Sequence, residues 1–123
     1  MLMNDELKQK IDLAKLTLMS VIKSFQDAKD MGLNNAAVDR IINEATICKD
    51  ALTAYEGHGI AAINDLQLRH LTHQSRAFIR DLIEPFESGA KEVTDHYNEE
   101  AMTGFYAFRD VVRVIVDEWQ ADS

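Results

Sequence analysis

The sequence predicts an all-α protein, an antiparallel up-down four-helix bundle with helices over about residues 4–31, 35–56, 62–83 and 88–119. Three observations carry this expectation. Apolar residues recur at alternating spacings of three and four along most of the chain, the helical period. Only five Gly and one Pro interrupt the 123 residues, and β-branched residues form no alternating runs. The breaks between periodic segments are short, which favours antiparallel neighbours.

The first helix is carried by Leu7, Ile11, Ala14, Leu18, Val21, Phe25 and Ala28, one seam held over about eight turns. Asn4 is placed to cap its start, with Asp5 and Glu6 in the first turn where the helix dipole favours negative charge. Gly32 followed by Leu33 reads as a left-handed stop with an apolar contact. The second helix begins at Asn34 or Asn35 and is carried by Val38, Ile41, Ala45, Cys48, Leu52 and Tyr55. It ends at Glu56-Gly57-His58-Gly59, the clearest break in the chain.

The third helix has the seam Leu68, Leu71, Ser75, Phe78 and Leu82, with Asn64 and Gln67 as a capping pair. Pro85, Ser88 and Gly89 mark the next turn, or a kink at the proline. The fourth helix is clearest in its second half, through Ala101, Phe105, Phe108, Val112, Ile115 and Trp119. Upstream, Ala90, Val93 and Tyr97 lead into Ala101 with two consecutive spacings of four. That slip, beside Gly104, predicts a local unwinding, a bend or two shorter helices.

The length fits a single helical domain spanning 1–123, able to bury roughly two-thirds of its unfolded surface. Met1 to Glu6 lacks the basic and apolar stretches of a signal peptide, and the apolar runs are far short of a transmembrane span. One cysteine makes no internal disulfide, so a cytoplasmic location is the expectation. Charge is distributed unevenly. Residues 1–80 carry ten acidic and ten basic side chains, whereas residues 81–123 carry eleven and three, so the whole net charge of −8 belongs to the last third. That balance argues against direct nucleic-acid binding and against anionic membranes.

Two charged stripes share helix faces. Arg69, His73, Arg76 and Arg80 recur at spacings of four, three and four, and Glu92, Asp95 and Glu99 lie together on the last helix. Folding the two helices antiparallel sets Arg80 level with Glu92, Arg76 near Asp95 and His73 near Glu99. The plainer expectation is a ladder of surface ion pairs, each worth about 0.2–1 kcal/mol. The functional one is two exposed stripes, the basic one able to hold an anionic ligand. On the first helix Leu13, Leu16 and Met19 fall outside the seam. They mark either a wide core face or an interface, with a homo-oligomer as the expected use.

Chemistry-bearing motifs are weak. His70 and His73 lie a turn apart but point in different directions, and no Glu-x-x-His pair of the di-iron type occurs. His96 with Glu92 and Glu99 has no second copy. Cys48 occupies a seam position and reads as a small buried hydrophobe. No serine has a nucleophile-elbow context, Gly57-His58-Gly59 is too short to cradle phosphate, and Arg69 and His73 are one residue too close for the helical nucleotide-binding RNases. Thr103-Gly104-Phe105-Tyr106-Ala107-Phe108 resembles, over six residues, the terminal helix of phage proteins that sequester cyclic-nucleotide signals. The basic residue that follows is shifted, and no site is carried over from it.

The leading functional expectation is therefore a non-enzymatic interaction protein without cofactors. It would be a small inhibitor, immunity factor, adaptor or regulatory subunit of a bacterium or phage. It would bind a protein partner with a basic surface through Glu84, Glu87, Glu92, Asp95, Glu99 and Glu100. The alternative is a small-ligand or nucleotide-signal-binding helical oligomer using Arg69, His73, Arg76 and Arg80. A nucleic-acid mimic ranks third, and an enzyme using His70, His73 or His96 ranks last.

Overall fold

A computed structural model describes residues 3–122, which are helical apart from turns and contain no strand. The all-α bundle expected from the sequence is what forms. Helix α1 spans Asp5–Asp30, and the Asn4 side chain accepts the Leu7 N–H at 2.7 Å. It closes as the Gly32-Leu33 pair predicts. Gly32 takes φ 104° and donates to Lys29 O, while the Leu33 N–H reaches back to Ala28 O at 2.9 Å.

Helix α2, Ala36–His58, is capped by Asn35 accepting from Val38 at 3.0 Å and is stopped by Gly59 at φ 75°. A 3₁₀ turn over Ile60–Ala62 then leads to α3, Asp65–Phe78, so the expected third helix starts about one turn later. The capping pair is reciprocal: Gln67 N–H donates to Asn64 Oδ1 at 2.8 Å, and Asn64 N–H to Gln67 Oε1 at 2.9 Å.

Beyond Phe78 the chain enters a π turn, Ile79–Ile83, that continues into α4, Glu84–Glu87. The wider turn inserts an extra residue into the face. Ile83 consequently takes the core position expected for Leu82 and is 2% exposed. Pro85 is tolerated because it lies in the first turn of α4.

The expected last helix is divided. A single turn, α5 (Lys91–Thr94), is followed by residues 95–98 and then by α6, Glu99–Asp122. The division is one of the outcomes that the register slip between Val93 and Ala101 predicts, and it falls at Asn98, ahead of Gly104. Asn98 Oδ1 accepts the Ala101 N–H at 2.8 Å, with Glu99 and Glu100 in the first turn, a complete helix start. Gly104 instead lies buried inside α6, where a Cβ would stand 1.7 Å from Thr17 Oγ1 and 3.0 Å from Thr17 Cβ. The missing side chain is what lets α1 and α6 come together.

Helix α1 packs against α2 and α6, and α3 packs against the same two, enclosing one core. Lys15 pairs with Glu56 and Lys29 with Asp39, while Lys10 pairs with Asp110. Small residues allow the close approach: Ala14 on α1, Ala45, Cys48 and Ala51 on α2, and Ala107 on α6 are all buried. Phe78 is wedged edge-on against Phe105 and Phe108, with ring centroids 4.9 and 5.4 Å away. Two seam residues are exposed, Ala101 and Ile41, the latter at 36%. Because α6 meets both α1 and α3, its buried face is wider than one seam and takes in Met102, Gly104, Ala107 and Val111.

Candidate functional site

The acidic residues singled out by the sequence, Glu84, Glu87, Glu92, Asp95, Glu99 and Glu100, are all exposed. Their surroundings differ. Asp95 accepts Lys91 Nζ at 2.6 Å within its own turn, and Glu87 accepts the Tyr106 hydroxyl at 3.1 Å. Partial desolvation, and then Glu87, push the Tyr106 phenol above its ordinary range, while the Arg109 guanidinium lies 4.8 Å from the centre of its ring. Glu84, Glu92, Glu99 and Glu100 have no cation within salt-bridge distance among the described residues.

The ladder between the two stripes does not form. Arg69 turns to Asp65 at 3.0 Å, His73 to Glu44 at 2.6 Å, and Arg80 to Asp81 at 2.8 Å. The hydrogen bond from Arg80 holds the Asp81 carboxyl below its usual range. Arg76 has no acidic partner within that distance among the described residues. The physical reason is the broken segment over residues 88–98. The ladder requires one continuous helix alongside α3, and α5 is a single turn set off from α4 by Gly89 at φ 77° and from α6 by residues 95–98.

The basic stripe is therefore divided as well. Arg69 and His73 join Arg40, Asn43, Glu44, Leu66 and His70 around a groove of ≈ 480 Å³ between α2 and α3. Arg76 lines a different, smaller groove with Arg113 and Asp117. His70 and His73 were expected to point apart, yet both approach one oxygen of Glu44, at 3.6 and 2.6 Å from their Nδ1 atoms. The carboxylate reaches both from the neighbouring helix, which spacing within α3 alone does not reveal. Among the described residues, no group of three or more His, Cys, Asp or Glu side chains is arranged to hold a metal ion. Cys48 is fully buried, and burial, then Glu44, push its thiol up to about 12, far from a nucleophile's range.

A second groove, also ≈ 480 Å³, runs between α1 and the start of α6. Leu13, Leu16, Val21 and Phe25 line it from α1, and Tyr97, Ala101 and Phe105 line it from the other side. Thr17, Ser20 and Ser24 provide small side chains between them beside the bare backbone of Gly104, and Glu100 is the one charged residue of this lining. Tyr97 is held edge-on against Phe105 at 5.8 Å. Leu13, Leu16 and Met19 are 38%, 58% and 49% exposed, so the wide-core reading of these three does not hold. Met19 is not part of the groove lining. The sequence did contain a signal for this groove: Thr17, Ser20 and Ser24 place small polar groups on one face of α1, and Gly104 breaks an otherwise bulky α6.

No helix among the described residues is long and apolar enough to cross a membrane. Comparison of the chain with protein-family models, with characterised proteins and with solved structures gives no match.

Proposed function

We propose that this chain is a non-enzymatic interaction protein, an inhibitor, adaptor or regulatory subunit, that binds a protein with a basic surface. One observation carries the reading. Glu84, Glu92, Glu99 and Glu100 are exposed and lack a cationic partner, and they lie close together along the third of the chain that carries its net charge. Mutual repulsion of uncompensated carboxylates is relieved by a cationic surface brought from outside, which speeds encounter and rejects acidic competitors. The mechanism is occlusion: the partner's basic surface is covered while this chain performs no chemistry.

The small-ligand alternative loses support from the division of Arg69, His73, Arg76 and Arg80, since their guanidinium and imidazole groups do not converge on one volume. Capture from a lysate of the native host tests the leading reading. The wild-type chain should retain a basic protein that is released as salt is raised, and a variant carrying Glu92→Gln, Asp95→Asn and Glu99→Gln should not. Equal capture by the triple variant would sink it.

A further inference from the structure

The groove between α1 and α6 has the form of a receptor for a helix. We infer that it docks an amphipathic helix of the basic partner, with that helix's apolar side chains seated between Leu16 and Phe105 and a Lys or Arg reaching Glu100. The inference deepens the function proposed above and rests on it.

Three features select this occupant. The α1 wall from Leu13 to Phe25 is about 18 Å long at 1.5 Å per residue, the length of some three turns of a docked helix. The chain offers no unpaired strand edge among its described residues, so an extended peptide gains no main-chain ladder here, whereas a helix satisfies its own backbone and can be laid into the groove. The groove has apolar walls, small hydroxyl-bearing residues between them and a single charge, Glu100. Glu99 stands beside that residue, and neither has a cation within salt-bridge distance among the described residues. Apolar walls with an uncompensated acidic edge complement a helix with one apolar and one basic face.

The same charges argue against a second copy of this chain as occupant. A two-fold contact builds both sides from the same patch, which holds the Glu100 carboxylate and no cation to meet it. Leu13 and Leu16 would be covered in such a dimer, but at the cost of desolvating an unpaired carboxylate.

Two labelled peptides of identical Leu/Lys composition test the inference by fluorescence anisotropy. One spaces its leucines at i, i+3, i+4 and i+7, and the other scrambles them so that no apolar face forms. The patterned peptide should bind the full chain at least tenfold more tightly than the scrambled one. Leu16→Gln and Ala101→Gln, both at exposed helical positions and both neutral, should each weaken it about tenfold while leaving the circular dichroism unchanged. Neutralising Glu92, Asp95 and Glu99 should slow association and flatten its salt dependence.

Equal binding of the two peptides, abolished by the acidic triple variant but untouched at Leu16 and Ala101, would overturn the groove and leave the acidic reading standing. Patterned binding that ignores both salt and the triple variant would keep the groove as a helix receptor and remove the acidic reading. No binding of either peptide overturns the inference. So does a wild-type dimer in sedimentation that Leu16→Gln dissociates, since the groove would then be covered by a second copy.

Discussion

Two grooves of the same volume, ≈ 480 Å³, open on this bundle, and they are chemically unlike. Between α2 and α3, charged side chains gather and consume one another: Glu44 takes His70 and His73, and Asp65 takes Arg69. Between α1 and α6, the walls are apolar or small and the single carboxylate, Glu100, has no cation of its own. Apart from Arg40, the charged groups of the first groove are paired within the chain, whereas the second is left with exposed leucines and an unpaired carboxylate. Equal size therefore says little about use. What separates the grooves is whether the groups around them are already satisfied within the chain.

The largest expected effect concerns the interior behind the first groove. Burial, helped by Glu44, raises the Cys48 thiol from 9.0 to about 12, so the folded chain keeps a proton that the unfolded chain releases. Stability is then undiminished below about pH 9 and falls as pH rises from there towards 12, by about 1.4 kcal/mol per pH unit from this group. Tyr55, raised first by burial and then by its hydrogen bond to Glu118, adds a fall of the same sign at higher pH. Urea titrations of wild type and Cys48→Ala between pH 8 and about 10 measure the difference. Parallel curves would show that Cys48 is not held in its protonated form.

The next effect strikes the second groove at its floor. Gly104→Ala puts a methyl group against Thr17, a β-branched residue with few rotamers to escape into, and should cost about 1–3 kcal/mol. Adding Thr17→Ala should return part of that loss, because the oxygen nearest the new methyl is gone. A Gly104→Ala protein as stable as wild type in chemical denaturation would mean that the two helices separate freely. The groove would then have no fixed floor.

A smaller effect is expected when the pairing in the first groove is broken. Glu44→Gln removes the carboxylate shared by two histidines at a partly exposed position, and should cost no more than about 1 kcal/mol in thermal denaturation at pH 6. Least of all, the triple change Glu92→Gln, Asp95→Asn, Glu99→Gln should alter stability by less than about 0.5 kcal/mol, in the stabilising direction at low salt. Screening should stabilise the wild type more than the variant as salt is added. A large loss of stability in the triple variant would show that the acidic surface holds the fold rather than awaiting a partner.

Much of the fold was legible because its signals are local. Asn4, Asn35 and Asn64 each accept a backbone N–H three residues on, and Gly32 and Gly59 each stop a helix through positive φ. Such signals need only neighbours along the chain. Leu13, Leu16 and Met19 were recognised as lying off the seam for the same reason, since periodicity alone separates them from Ile11, Ala14 and Leu18. The misreadings have equally specific origins. The π turn after Phe78 shifted a face by one residue, and a seam drawn with a fixed period could not follow it to Ile83. The Asn98 start was overlooked because an apolar seam was traced across it.

The sequence by itself determined the helical class, most helix starts and stops, and the confinement of the net charge to residues 81–123, because hydrogen bonding near helix ends and the sum of charges are properties of the chain. Tertiary structure alone decided which charges meet between helices. Glu44 reaches two histidines 26 and 29 residues away, Lys10 pairs with Asp110, and Thr17 meets Gly104 across two helices. Ion pairing and close packing depend on distances between elements, which the register and breaks of each helix set jointly. No single segment encodes them.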